Sequence, residues 1–465
     1  MDLVLMKQRE IGIELLKNLL AYDTVNNPAN GRFPDLSIIQ FVQDTLLRWN
    51  PEYKYQIFET DDYSSIYIAS DLIKSKDIVF LGHLDVVPVT HDWVSNPFEL
   101  TLKNNSLAFG RGSKDCKGSI VSALLFLKRI NENFISDSLI SKIGIFLSTD
   151  EETGGQHGAK KFFEFAEKDN ILPKRVINVD GGPKVVFKRR AGFNLRLSIP
   201  PLIKNISSKI KEEEFHTRIM YDNNRHSAYF VPGVDSHALL LLSKYLHINS
   251  QIKISDISGE WVKGNVIPNS VKASVLDSQA DSNHKQLHTY DANLTKLLRK
   301  LRRIILADII TEKPSEFGIT VNPNILTYSP EKGTELQFDI RAFLSPKEKE
   351  KLVNHVKSSI GDLANQCKIE CRGSSGYFYT DPSDELVVVS TEVMREYDLM
   401  DDGEPPKEQE GASDARYATM HGVPVIDIGP KGGNIHGDNE FIVIDSMIQF
   451  SFVYERIVEK LLKIQ

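Results

Sequence analysis

Between Ser64 and Asp180 the chain keeps returning to one pattern, and that pattern leaves few choices of fold. Short apolar runs, in DIVFLGHLDVVP, SKIGIFLSTDEE and KRVINVDGG, alternate with a longer stretch of helical periodicity, GSIVSALLFLKRI. Apolar runs bounded by Gly or charged residues read as buried strands, and the segments between them as covering helices. The expected class is α/β, with a central mixed sheet flanked by helices. In such sheets ligands gather where strands end, and His83, Asp85, Glu151, Glu152 and Asp180 all follow directly on apolar runs.

Beyond about Val186 the character changes. FNLRLSIP, VKASVLD and ELQFDIRAF alternate as antiparallel strands do, with helices expected near Val234 to Leu246 and Asn293 to Ile310. From about Tyr377, a Pro-containing turn, a helix and the strand VPVIDIGP return to the first pattern. At 465 residues the chain is too long for one ordinary core. The expected division is a first part of the catalytic domain over 1–185, a smaller α+β lid or dimerisation domain over 186–376, and the rest of the catalytic domain over 377–465. GNVIPNSVKASV and GITVNPNILTYSPEKGTELQFDIRAF are loosely alike, a weak sign of a duplicated strand unit.

Composition narrows the function classes. A net charge of -7 gives no basic footprint for nucleic acid or an anionic membrane, which leaves small-molecule or peptide chemistry. The opening MDLVLMKQREIGIELLKNLL is broken by Lys, Arg and Glu and reads as a surface helix, and no stretch has the apolar length of a membrane span. Three cysteines, Cys116, Cys367 and Cys371, cannot build a disulfide framework, and a reducing cytoplasm fits that count. Cys367 and Cys371 have no second pair to complete a zinc site, and Cys116 reads as a small buried residue.

The chemistry lies in GHLDVVP, GRGSKDCKGS, TDEETGG, NVDGG and IHGDNEF. They set imidazole and carboxylate groups beside glycines, and those donors suit zinc, manganese or cobalt. A carboxylate has two oxygens, so one Asp can bridge two cations with two further ligands each and a position left for water.

These motifs resemble, over essentially the whole chain, those of the co-catalytic di-zinc metallopeptidase family that contains carboxypeptidase G, acetylornithine deacetylase, succinyl-diaminopimelate desuccinylase, aminoacylase, carnosinase and bacterial dipeptidases. The resemblance implies His83, Asp115, Glu152, Asp180 and His436 as ligands of two divalent cations, with Asp115 bridging. It implies Glu151 as general base, Asp85 as the partner that orients the His83 ring, and a cis peptide between Asp115 and Cys116. It also implies His226, in RHSAYFVPGVDSHALL, as a substrate-binding residue that stabilises the oxyanion, with His216 and His237 as competitors. Arg341, through its planar fork, and Asn265 are further candidate substrate contacts; for Arg341 the competing reading is an ion pair with a nearby acid.

The expected activity is hydrolysis of an amide bond in a dipeptide or short peptide. An N-acyl amino acid deacylase of the acetylornithine or succinyl-diaminopimelate type is the alternative, and a metal-containing binding protein without turnover is the remote one. Zinc is the expected cation, with cobalt or manganese as substitutes, and a homodimer through the smaller domain is a possible assembly.

Overall fold

The computed structural model describes all residues except 1–2, 91, 133–136, 221–226, 228–229, 232, 278, 280–285, 306–312, 314, 317, 374–375, 410 and 464–465. The described chain forms two compact units, one of residues 1–189, 378–409 and 413–465, the other of residues 190–377 and 410–412. Among the described residues no helix is long and apolar enough to cross a membrane.

The first unit is built on a nine-stranded mixed sheet, in accord with the expected α/β class. Its order is Lys54–Glu59, Ser64–Ala69, Ile143–Ser148, Ile78–His83, Val176–Asn178, Val425–Asp427, Val186–Arg189 and Phe378–Tyr379, with Lys407–Gln409 pairing beside Val186–Arg189. The central strands 143–148, 78–83, 176–178 and 425–427 are mutually parallel. They are apolar along their length because both faces are covered. On one face lie the helices Leu3–Leu20, Ser37–Trp49, Lys117–Glu132, Glu385–Glu396 and Ile444–Leu462. On the other, Phe162 and Phe163 of the helix Ala159–Lys168 and Ala415, Tyr417 and Ala418 of the helix Ala415–Met420 pack with Phe146 and Val425.

Parallel register brings the ends of these strands to one edge. His83 is level with Ser148, and Leu81 with Asn178, so the chain leaves the sheet into 84–88, 149–155 and 179–182 side by side.

The second unit has two four-stranded antiparallel sheets. One runs Ile252–Gly259, Ser270–Asp277, Ile203–His216, Gln286–Asp291; the other runs Thr320–Ser329, Gly333–Ala342, Ala191–Ile199, Lys368–Gly373. The helices Ala238–Ile248, Ala292–Ile305 and Lys349–Ile360 share one core with them. The two loosely similar segments fall on different sheets, the first on the strand 270–277 and the second on the hairpin 320–342.

Candidate metal centre

His83 ends a buried strand, and its side chain is 2% exposed. Its Nε2 lies 2.9 Å from Asp115 Oδ1 and 3.9 Å from Asp180 Oδ1. The other oxygen of Asp115 faces the opposite way: His436 Nε2 is 3.0 Å from Asp115 Oδ2 and 3.3 Å from Glu152 Oε1. Asp115 thus offers one oxygen to His83 and the other to His436, with Asp180 on the first side and Glu152 on the second. One ligand atom from each of His83, Asp115 and Glu152 lies within 4.8 Å of the other two, and the same holds for His83, Cys116 and Asp180. The peptide between Asp115 and Cys116 is cis.

The electrostatics test whether this cluster suits cations. Burial, then the charge of Asp115, pushes Asp180 up to about 7, and the same two causes raise Glu152. Burial works against charge on Asp115, but the imidazoles of His436 and His83 outweigh it and hold that carboxyl well below its usual range. Burial likewise opposes the charge of His436, yet Asp115 and Glu152 hold its ring up to about 11. Three carboxylates converge on two rings with too little positive charge to satisfy them all, the environment that divalent cations with N and O donors relieve. The residues fit a two-cation site with Asp115 between the halves.

The second layer is built from buried polar groups. His83 Nδ1 faces the backbone oxygen of Asp85 at 3.0 Å, while Asp85 Oδ1 is farther, at 3.5 Å. The ring proton therefore has the backbone oxygen of Asp85 as its nearer acceptor, ahead of the carboxylate. That carboxylate instead accepts from the backbone N–H of Glu151 (3.2 Å) and Glu152 (3.0 Å) and from Asn26 Nδ2 (2.8 Å). Asp85 thereby fixes the turn that presents both glutamates. Behind Asp180, Arg189 Nη2 donates to the Asp180 backbone oxygen at 3.5 Å and Arg189 Nε to Asp427 Oδ2 at 2.6 Å; Asn178 Nδ2 donates to Asp427 Oδ1 at 2.9 Å, and Lys114 Nζ to the carbonyl of Gly181 at 2.7 Å.

Glu151 begins the short turn Glu151–Thr153 after the strand 143–148. Burial, then the nearby carboxyl of Asp414, raises its pKa well above the usual carboxylate value. Asp414 itself, pushed up to about 7 by burial, pairs with buried Arg416 at 3.3 Å. This pair beside Glu151 is not among the residues that the sequence marks out. Asn26 was missed because nothing local marks it; the parallel bridge between Val25 and Val86 is what delivers it to Asp85.

In the second unit, His226 lies outside the described residues. Of its competitors, His237 is buried and caps the helix 238–248, accepting from Leu239 N at 3.2 Å, and His216 is exposed, 3.8 Å from Glu214. Arg341 directs its fork at Asp339, at 3.0 and 3.2 Å, two residues away on the same strand. Asn265 lies in the loop before the strand 270–277, where its backbone oxygen accepts from Ser227 N at 2.9 Å.

Residues 79–460 match the sequence pattern of peptidase family M20/M25/M40. A succinyl-diaminopimelate desuccinylase of Nautilia profundicola is 19% identical over 452 residues, which cover 96% of this chain and 99% of that protein. Among solved structures, an aminoacylhistidine dipeptidase from Vibrio alginolyticus superposes with a TM-score of 0.68 at 13% identity, covering 96% of each chain. A tripeptidase from Staphylococcus aureus superposes with a TM-score of 0.58 at 13% identity, covering 98% of this chain and 99% of that one. The structural likenesses speak for the fold; the sequence match runs from the strand that ends in His83 through the helix that follows His436. This chain therefore belongs to peptidase family M20/M25/M40.

Proposed function

We propose that the protein hydrolyses the amide bond of a dipeptide or short peptide with two divalent cations, zinc being the first choice, held by His83, Asp115, Glu152, Asp180 and His436. The observation that carries this reading is the pair of His83 and His436 rings on the two oxygens of Asp115, with Glu151 one residue from Glu152. Cations bound there lower the pKa of a water and polarise a carbonyl oxygen.

The chain's own residues do the rest. Glu151 takes the proton of the attacking water and passes it to the departing amide nitrogen, and a raised pKa suits a group that must be base and then acid near neutral pH. Asp85 holds the backbone of Glu151 and Glu152, which keeps base and ligand in register. His226, Arg341 and Asn265 are assigned to substrate binding, with His226 supplying positive charge to the developing oxyanion. For Arg341 this role requires its fork to leave Asp339.

Deacylation of an N-acyl amino acid is the second reading, favoured by the desuccinylase relative. Both reactions break an amide next to a carboxylate. A cytoplasmic location and a homodimer complete the proposal. The test is turnover of a panel of dipeptides and of N-acetyl and N-succinyl amino acids with zinc, cobalt or manganese. Glu151→Gln should keep metal and fold and lose about 10²- to 10⁴-fold in kcat, the usual share of a general base. Wild-type turnover in that variant would sink the mechanism, and turnover of acylated amino acids alone would select the second reading.

A further inference from the structure

Four residues after His436, the carboxylate of Glu440 is 1% exposed and receives four donors. Its Oε2 accepts from Arg111 Nη1 at 2.7 Å and from Gly112 N at 3.0 Å; its Oε1 accepts from Lys114 N at 2.8 Å and from Asp115 N at 2.9 Å. Every one of those donors belongs to the segment 111–115 that presents Asp115. Arg111 closes the loop from the other side, with Nη2 3.4 Å from the carbonyl of His436.

The segment carrying His436 has need of such a hold. His436 has φ +61°, a left-handed conformation that costs a residue with a side chain free energy and persists only where the surroundings impose it. Asn434 and Asn439 are left-handed as well, at φ +56° each. Asn439 is tied to a third segment, accepting from Val94 N at 2.9 Å and donating to Asp92 O at 3.3 Å.

We propose that Glu440, paired with Arg111, is a positioning residue of the metal centre, joining the backbone that presents Asp115 to the backbone that presents His436. The proposal rests on the ligand assignment above. Side chains 321 positions apart, taken as 436 minus 115, share one ion only if their backbones are held in register, and a saturated buried carboxylate between them does that. A carboxylate is required because all four partners are donors. Glutamine would keep one oxygen for two of them and turn an NH₂ group against the others.

The experiment is a Co²⁺ titration of the metal-free full-length chain, followed by competition with a chelator and by the visible Co²⁺ spectrum. Wild type should take up two ions. In Glu440→Gln the affinity for one of them should fall about 10- to 100-fold, as for other residues that orient a ligand, with an altered Co²⁺ spectrum and a fall in kcat at nearly constant KM. Arg111→Lys keeps the charge but loses the fork, so it should shift the same quantities by less, and it carries the test on the same criteria if Glu440→Gln fails to fold. Two ions bound at wild-type affinity with an unchanged spectrum would overturn the proposal while leaving the metal reading intact. A wild type that takes up no Co²⁺ would overturn both.

Discussion

Asn26→Ala isolates how much of the centre depends on a residue outside the matched region, which begins at residue 79. Asn26 is 4% exposed, and its Nδ2 donates to Asp85 Oδ2 at 2.8 Å and lies 3.1 Å from Thr153 Oγ1. Truncation leaves Asp85 fully buried with the backbone N–H groups of Glu151 and Glu152 as its remaining short contacts. A hydrogen bond to a charged group is worth about 1.5–3 kcal/mol, so urea unfolding should show a loss of that order. At about 1.4 kcal/mol per factor of ten, the same energy expressed in the transition state corresponds to about a 10- to 100-fold drop in kcat. Because Asp85 holds the turn 151–153 and not a bond to substrate, the loss should fall on kcat with KM nearly constant and with both ions retained by elemental analysis. A variant with kcat within about twofold of wild type would refute the claim that Asp85 needs this donor to hold the turn.

Asp115→Ala removes the group common to both halves and should leave at most one ion per chain; two ions retained on elemental analysis would exclude bridging. His237 gives a pH test in the second unit. Burial takes its pKa from 6.5 down to about 4, so the folded state keeps the ring neutral while the unfolded chain protonates first as pH falls. Its contribution is whole above 6.5 and is lost as pH drops from there through about 4. By linkage, the loss from about pH 8 to about pH 5 is about 2 kcal/mol. His237→Asn, which keeps a capping side chain, should show less acid sensitivity in urea unfolding by about that amount, and identical pH dependence in the two proteins would exclude the buried ring as its source.

Much of this architecture is readable along the chain. The runs ending in His83, Ser148 and Asn178 are buried on both faces, so each is apolar throughout and declares itself without its neighbours. The ligand motifs are equally local, because a strand that ends at a reactive edge passes directly into its polar residues. The second unit was legible as alternating strands, since a strand such as Ala191–Ile199 turns every other side chain into the core and the rest outward. Arg341 shows the limit of that kind of reading. A fork suited to a substrate carboxylate and a fork suited to Asp339 have the same sequence signature, and only the alternation of the strand 333–342 puts Asp339 on the same face.

What a linear chain does not carry is which distant segments meet. Nothing in LGHLD announces that Asn26 will reach Asp85, and nothing in GRGSKDCKGS announces that Glu440 will fill its backbone donors; those partners lie 59 and 325 or more positions away. Residue type and local periodicity decide that there are strands, where they end and which side chains can bind a cation. The packing of the helices 3–20, 117–132 and 444–462 on one face of the sheet decides which of those ends stand together. The strengths of buried hydrogen bonds and the pKa values of the clustered carboxylates then follow from that packing, because both depend on the water that the tertiary structure has excluded.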